Sequence, residues 1–268
     1  MTTTTMTSTA MTRTAHVVAD TRTLLRRNMT HALRYPTMSL STLMMPLIFL
    51  LLFNYVFGST LGAGIGSGSY LDYLTPGMLI MTATSGMVST SVAVCTDLTE
   101  GIVDRFRTMS ISRFALLTGH VVGSVIQTLL SMAALLGIAT AIGFRPHTDL
   151  LGWLAITGVA ALVAVAMTWV AMAMGLLAKI PEGASNLPMP FILLPFLGSG
   201  FVPAASMSPG LRQFAQYQPF TPITETLRGL LLGTPVGNEW ILAVAWCAGL
   251  TALGYLAARR LFDRRATR

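Results

Sequence analysis

Six apolar stretches divide the chain, Met38–Phe57, Leu74–Cys95, Phe114–Ile142, Leu150–Ala178, Leu187–Val202 and Trp240–Ala258, and none contains Asp, Glu, Lys or Arg. A helix rises about 1.5 Å per residue, so about 20 residues cross a hydrocarbon core of about 30 Å. The first, second and sixth stretches fit that length. The third and fourth exceed it and are expected to tilt or protrude. The fifth is short and bounded by Pro188, Pro190 and Pro203, which makes it the weakest span. The pattern predicts an all-α polytopic membrane protein with six transmembrane helices over residues 37–258.

Ahead of the first span the period changes. Val17, Val18, Thr21, Leu24, Leu25, Asn28, Met29, Ala32 and Leu33 recur at steps of three and four, while Asp20, Arg22, Arg26, Arg27, Thr30 and Arg34 take the other faces. This predicts an N-terminal amphipathic helix over 16–36 lying in the membrane interface. Pro36 ends it by disfavouring helix in the residue before it. Such a helix serves as a positive-inside anchor or as a resting surface for a cytoplasmic partner, and amphipathicity does not separate the two. Residues 1–15 are Thr-rich and lack an apolar core, so they read as a disordered leader and not as a cleaved signal.

Charge orients the layout. Arg13, Arg22, Arg26, Arg27 and Arg34 precede span one, and Arg105, Arg107 and Arg113 follow span two. Lys179 follows span four, and Arg259, Arg260, Arg264, Arg265 and Arg268 form a basic tail, 259–268. In a six-span topology these fourteen share one side, against Arg145, Arg212 and Arg228 on the other. Cytoplasmic loops are enriched in Lys and Arg, so both termini are expected in the cytoplasm. With 53% hydrophobic and 10% charged residues, a soluble domain is excluded, and the net charge of +7 fits anchoring at anionic lipid and no nucleic-acid surface. Cys95 and Cys247 lie in or at the ends of spans, without a CxxC or a His pairing, so neither a disulfide framework nor a metal site is expected.

Candidate chemistry is sparse. Asp97, Leu98, Glu100, Gly101, Ile102, Asp104, Arg105 and Phe106 open the loop after span two, with Leu98, Ile102, Arg105 and Phe106 on one helical face. A short cytoplasmic helix of this kind docks into a groove of a partner, or the loop is simply solvated and sets topology. His120, Ser124, Gln127 and Ser131 form a polar stripe on span three, and Thr82, Ser85 and Ser89 form one on span two. Interhelical hydrogen bonding and a substrate path both account for such stripes. Phe49, Phe53 and Phe57 stripe span one, by packing or by lining a cavity for flat apolar compounds. Between spans five and six, Ser208-Pro209 and Thr221-Pro222 read as helix starts, Gly233 as a helix end, and Glu225 with Arg228 as a pair. Two short helices there predict a re-entrant or external hairpin. The spans hold no acid, and Ser199, between two glycines, has no His at a plausible level, so a membrane-embedded enzyme is disfavoured.

Two runs carry a resemblance. Glu100-Gly101-Ile102-Val103-Asp104-Arg105-Phe106-Arg107-Thr108-Met109-Ser110-Ile111-Ser112-Arg113 resembles the cytoplasmic coupling segment of type 2 ABC-transporter permeases, with Ser110 where that family usually has proline. Pro195 through Pro203, then Pro209, Phe220-Thr221-Pro222 and Glu225-Thr226-Leu227-Arg228-Gly229, is similar to the family's pattern after its fifth helix, most of all in daunorubicin-resistance exporters. The resemblance implies ATP-driven export by alternating access from a bacterial plasma membrane. It implies two permease subunits, as homo- or heterodimer, and two copies of a cytoplasmic ABC ATPase that carries ATP-Mg. Asp97, Glu100, Gly101, Arg105 and Phe106 are then the coupling residues. Phe49, Phe53, Ser85, Ser89, His120, Gln127 and Ser199 are candidates for the substrate path, and Pro203, Pro222, Glu225 and Arg228 belong to a hairpin that caps it.

The chain itself is expected to bind no cofactor. A P-loop ends in Gly-Lys-Ser/Thr, and the one lysine, Lys179, lies between Ala178 and Ile180. Uncharged spans favour a hydrophobic or amphipathic small molecule, with lipid or glycoconjugate export as the alternative. Ion-coupled transport is the rival of another class, and His120 is its one clear intramembrane candidate.

Overall fold

The structure, a computed structural model, describes residues 36–62, 69–99 and 113–266, and side chains at 42–62, 69–99 and 118–264. The leader, the amphipathic helix and the segment 100–112 lie outside the described residues. Among those described, the regular elements are helical and no strand occurs. In order they are α1 (Pro36–Tyr55), α2 (Gly58–Gly62), α3 (Tyr70–Thr99), α4 (Arg113–Ile142), α5 (Leu150–Leu177), α6 (Pro181–Asn186), α7 (Met189–Leu193), a 3-10 turn (Leu194–Leu197), a second (Ala204–Ser206), α8 (Pro209–Tyr217), α9 (Phe220–Leu232) and α10 (Glu239–Ala266). Four helices, α3, α4, α5 and α10, are long and apolar enough to cross a membrane, and α1 contributes a shorter apolar run, Thr42–Tyr55.

α3 is the most enclosed of these helices, with α1, α4, α5 and α9 packed around it and α10 laid along α5. The bundle is inside-out relative to a soluble protein. Thr75, Thr82, Thr84, Thr90 and Ser91 of α3 are buried, while Leu253 of α10 is 67% exposed and Leu150 of α5 is 79% exposed. Apolar side chains outside and hydroxyls within is the arrangement that hydrocarbon solvent selects. The four buried threonines are satisfied locally, Thr82 and Thr90 for instance donating one turn back to Met78 O (2.9 Å) and Gly86 O (3.1 Å). Small residues set the closest crossings. A Cβ on Gly175 would lie 2.5 Å from Ser91 O, and one on Gly254 2.7 Å from the backbone of Trp169, so α5 meets α3 and α10 almost backbone to backbone.

Two expectations are corrected. The fifth apolar stretch is no single helix: α6, α7 and a 3-10 turn follow one another, and 198–202 is non-helical. Pro188, Pro190 and Pro195 remove backbone donors and disfavour helix before them. The chain between the end of α5 at Ala178 and this non-helical segment nevertheless follows α3 from one end to the other. Cys95 Sγ meets Ala178 O (3.7 Å) at one end of α3, and Tyr73 Oη meets Ser199 O (2.7 Å) at the other. Tyr73 and Cys95 are 22 residues apart on that helix, about 33 Å at 1.5 Å per residue. α10 continues through the basic residues to Ala266, since Ala257–Arg265 contains no breaker, and Phe262 packs with Ala258, Met172 and Leu176. Finally, Thr221-Pro222 is not a cap. α9 starts at Phe220 after Pro219, so Pro222 lies in the first turn, where its missing N–H leaves nothing unpaired. Gly233 does close α9, in the left-handed conformation (φ 67°).

Candidate functional site

At the end of the bundle marked by the start of α3, the non-helical segment 198–201 presents carbonyls that have no helix to pair with. A buried unpaired carbonyl is costly, so partners must come from elsewhere. Three side chains supply them. Tyr70 Oη donates to Phe201 O (3.2 Å), Tyr73 Oη to Ser199 O (2.7 Å), and Arg228 Nη2 to the same Ser199 O (2.8 Å). Arg228 also donates to Tyr73 O through Nη2 (3.1 Å) and to Glu225 Oε1 through Nη1 (2.6 Å), and its guanidinium carbon lies 3.8 Å from the Tyr73 ring centroid. Residue 228 is 9% exposed, so this fork ties α9, α3 and the broken segment together in a dry setting. The backbone itself closes the contact. A Cβ on Gly77 would lie 2.5 Å from Gly200 O, so only glycine admits the segment onto α3. Thr221 Oγ1 accepts from Ser199 N (3.4 Å) in place of capping α9.

The phenylalanine stripe meets the same segment from α1. Phe49 packs on Phe196 (centroids 5.3 Å apart) and Phe53 on Phe201 (5.2 Å), and Phe196 stacks on Phe201 (4.4 Å). Pro203, half-buried, follows the segment and leads into the second 3-10 turn. α8 beyond it buries only Ala215, whereas α9 buries most of its length. The predicted hairpin is therefore one exposed and one embedded helix.

At the other end, Asp97 and His120 come together, Nε2 to Oδ2 at 2.7 Å, joining the last turns of α3 to the first of α4. A carboxylate oxygen only accepts, so in this contact Nε2 carries the proton. Both are partly buried. The contact closes the base of the loop that contains Glu100, Gly101, Arg105 and Phe106, four residues outside the described set. His120 thus sits at a helix end and not at mid-span. Ser85 and Gln127 are half-buried on α3 and α4, and Ser89 Oγ is turned onto Gly86 O (2.9 Å). Among the described residues no group of three metal-binding side chains forms.

Residues 19–232, most of the chain, match the family model described as ABC-2 type transporter. The chain belongs to the ABC-2 type transporter family. A daunorubicin resistance ABC transporter permease protein of Streptomyces coeruleorubidus is 29% identical over 252 residues, covering 92% of this chain and 87% of that protein. A protein named as a probable doxorubicin resistance ABC transporter permease, from two strains of Mycobacterium tuberculosis, is 22% identical over 248 residues, covering 90% of each chain. The chain is accordingly a multi-pass membrane permease of an ABC exporter, and membership of the family implies association with an ATPase subunit and another permease.

For this ABC-2 permease, sequence reasoning identified Glu225, Arg228, Pro203 and Ser199 but missed the groups they act on. Tyr70 and Tyr73 were not among the sequence candidates. Their spacing of three, at a span entrance where aromatic hydroxyls find partners, was the available signal. Gln218 and Gly77 carried no local signal, because their importance arises from contact with a segment over 100 positions away or from an unpaired amide.

Proposed function

We propose that the chain exports a hydrophobic or amphipathic small molecule of the drug or antibiotic type by alternating access, with two such subunits around the path and two ATPase copies beneath it. What carries the reading is the pairing of the family match with an interior that offers hydroxyls and aromatic faces but few charges. Within the bundle Arg228 is engaged at one end, and Asp97 with His120 at the other. The apolar stretches themselves carry no Asp, Glu, Lys or Arg to pair with an ionic substrate, and a flat apolar one finds the phenylalanines of α1. The relatives' names, resistance to daunorubicin and to doxorubicin, point to the same class. The broken stretch supplies the sixth crossing, both termini lie in the cytoplasm, and 100–112 is the segment on which the ATPase acts. The chain binds no cofactor itself and leaves ATP-Mg to that partner.

Inverted membrane vesicles containing the chain and its ATPase test this. They should accumulate doxorubicin on adding ATP, and neither subunit alone should do so. Accumulation driven by a proton gradient and indifferent to ATP depletion would establish the ion-coupled alternative. ATP-dependent movement of lipid without movement of drug would reassign the substrate.

A further inference from the structure

The segment 198–201 is held through its backbone and by the Phe201 ring, packed on Phe53 and Phe196, while three hydrogen-bonding atoms beside it go unused. Ser199 Oγ and both amide atoms of Gln218 have no partner, although these residues are only 3% and 5% exposed. The Gln218 amide nitrogen sits so close to Gly198 that no Cβ would fit between them. Buried amides and hydroxyls almost always find partners, since each otherwise gives up its hydration for nothing. A primary amide is also versatile, with two donors and an acceptor that match any stretch of peptide backbone. A position that satisfies the segment's carbonyls and strands the adjoining amide is therefore one of two positions, the second being the one the amide serves.

The local construction agrees. Glycines at 198 and 200 flank Ser199, no helix spans the segment, and its approach to α3 at Gly77 is backbone on backbone with no interlocking side chains. The holding groups, in contrast, stand on helices: Tyr70 and Tyr73 on α3, Arg228 on α9. We propose that 198–201 is a two-position latch at the outer end of the export path, closed by Arg228, Tyr73 and Tyr70, and that Gln218 is the positioning residue that takes up the segment's backbone when the closing groups let go. This rests on the permease reading above and adds to it the moving part and the side chain that receives it.

The test uses Ser199→Cys in a chain lacking Cys95 and Cys247, assembled with its ATPase in intact cells. An impermeant maleimide is applied outside. In the closed position the thiol is buried, so labelling in ATP-depleted cells should be slow, and during turnover it should rise about tenfold or more. Adding Gln218→Met, which keeps length but removes the amide, should cut both turnover-dependent labelling and export at least fivefold, with labelling under depletion unchanged. Gln218→Asn should restore part of each. Should Ser199→Cys fail to reach the membrane, Val202→Cys at the segment's edge serves the same comparison. Equal labelling with and without ATP, or unchanged export by the Gln218→Met chain, overturns the latch. If the parent chain shows no ATP-dependent export at all, the permease reading is what fails, and that is seen before any variant is made.

Discussion

Replacing Arg228 by Leu tests the proposed closure most directly. The guanidinium reaches three oxygens on three parts of the chain, those of Tyr73, Ser199 and Glu225, and covers the Tyr73 ring. After truncation Ser199 O keeps the Tyr73 hydroxyl and Tyr73 O keeps its place in the α3 ladder, so each carbonyl loses its charged donor without being stranded. A hydrogen bond from a charged donor contributes about 1.5–3 kcal/mol. The lost cation over the ring adds about 0.5–2 kcal/mol. Glu225, with a side chain 36% exposed, rehydrates and adds little. Removing one partner of a polar contact inside lipid costs about 0.6 kcal/mol on average, since the freed group finds substitutes, so the lower part of each range applies. The sum is about 2 kcal/mol, roughly a 30-fold shift in the equilibrium that holds the segment in place. For a chain of this size that lowers the melting temperature by about 4–8 °C. The assay is thermal unfolding of the purified protein in detergent. Arg228→Lys keeps a charge but not the planar fork and should recover less than half of the loss. Arg212→Leu is the control: Arg212 also donates to carbonyls, those of Ala205 and Met207, but on an exposed surface, and its loss should move the midpoint by no more than about 2 °C. An Arg228→Leu chain melting with the parent, or an Arg228→Lys chain fully stable, refutes the reasoning.

Single cysteines at Gly64 and Gln216, in a chain without Cys95 and Cys247, should react with an impermeant reagent outside intact cells. Labelling at Thr99 but not at these two would invert the topology. Phe106→Ala and Glu100→Ala should leave membrane insertion intact yet lower co-purification with the ATPase, by about 2 kcal/mol or more of affinity if either is a buried anchor. The Arg268→Ala chain should match the parent, and normal binding by the first two would reduce the loop to a topology anchor. Asp97→Ala and His120→Ala, alone and together, should show a coupling energy of about 0.5–1.5 kcal/mol in thermal unfolding. Strict additivity would mean that the 2.7 Å contact does not form in solution.

What the sequence disclosed is what depends on local order. Leu150–Leu177 begins and ends within a residue of the apolar stretch, because a charged loop bounds it at each end and no proline interrupts it. The Glu225–Arg228 pair and the Gly233 stop were legible because a spacing of three and a left-handed terminus are properties of a single helix. The fifth stretch was misjudged as one helix because its composition matched a span, although Pro188, Pro190 and Pro195 were visible. Hydropathy weighs side chains and is blind to backbone donors. Nor could pattern show that Tyr73, Ser199 and Arg228 converge. A carbonyl freed by a broken helix has no residue type of its own, and the side chains that answer it lie 126 and 29 positions away. Asp97 and His120 were each singled out, but for separate roles, and only the fold places one against the other.

α3 is where these observations join. Its inner turns hold Cys95 against Ala178 and Asp97 against His120, and its next residues enter the segment 100–112. Its outer turns carry Tyr70, Tyr73 and Gly77, the groups that hold 198–201. A helix transmits axial displacement because compressing it breaks hydrogen bonds along its whole length, whereas a loop of the same span absorbs displacement in its torsions. Pro76 modifies the rod at one place. It withholds a donor from the carbonyl of Asp72, so the turn bearing Tyr70 and Tyr73 is tied to the remainder by one bond fewer than an unbroken ladder would give. Arg228 grips the neighbouring carbonyl, Tyr73 O, and so ties that same turn to α9. Releasing Arg228 would therefore free the segment and loosen the end of α3 that faces it in one event. On the proposed reading, a displacement entering α3 from the segment 100–112 would reach the turn where the proposed latch is fastened without distorting the buried middle of the bundle.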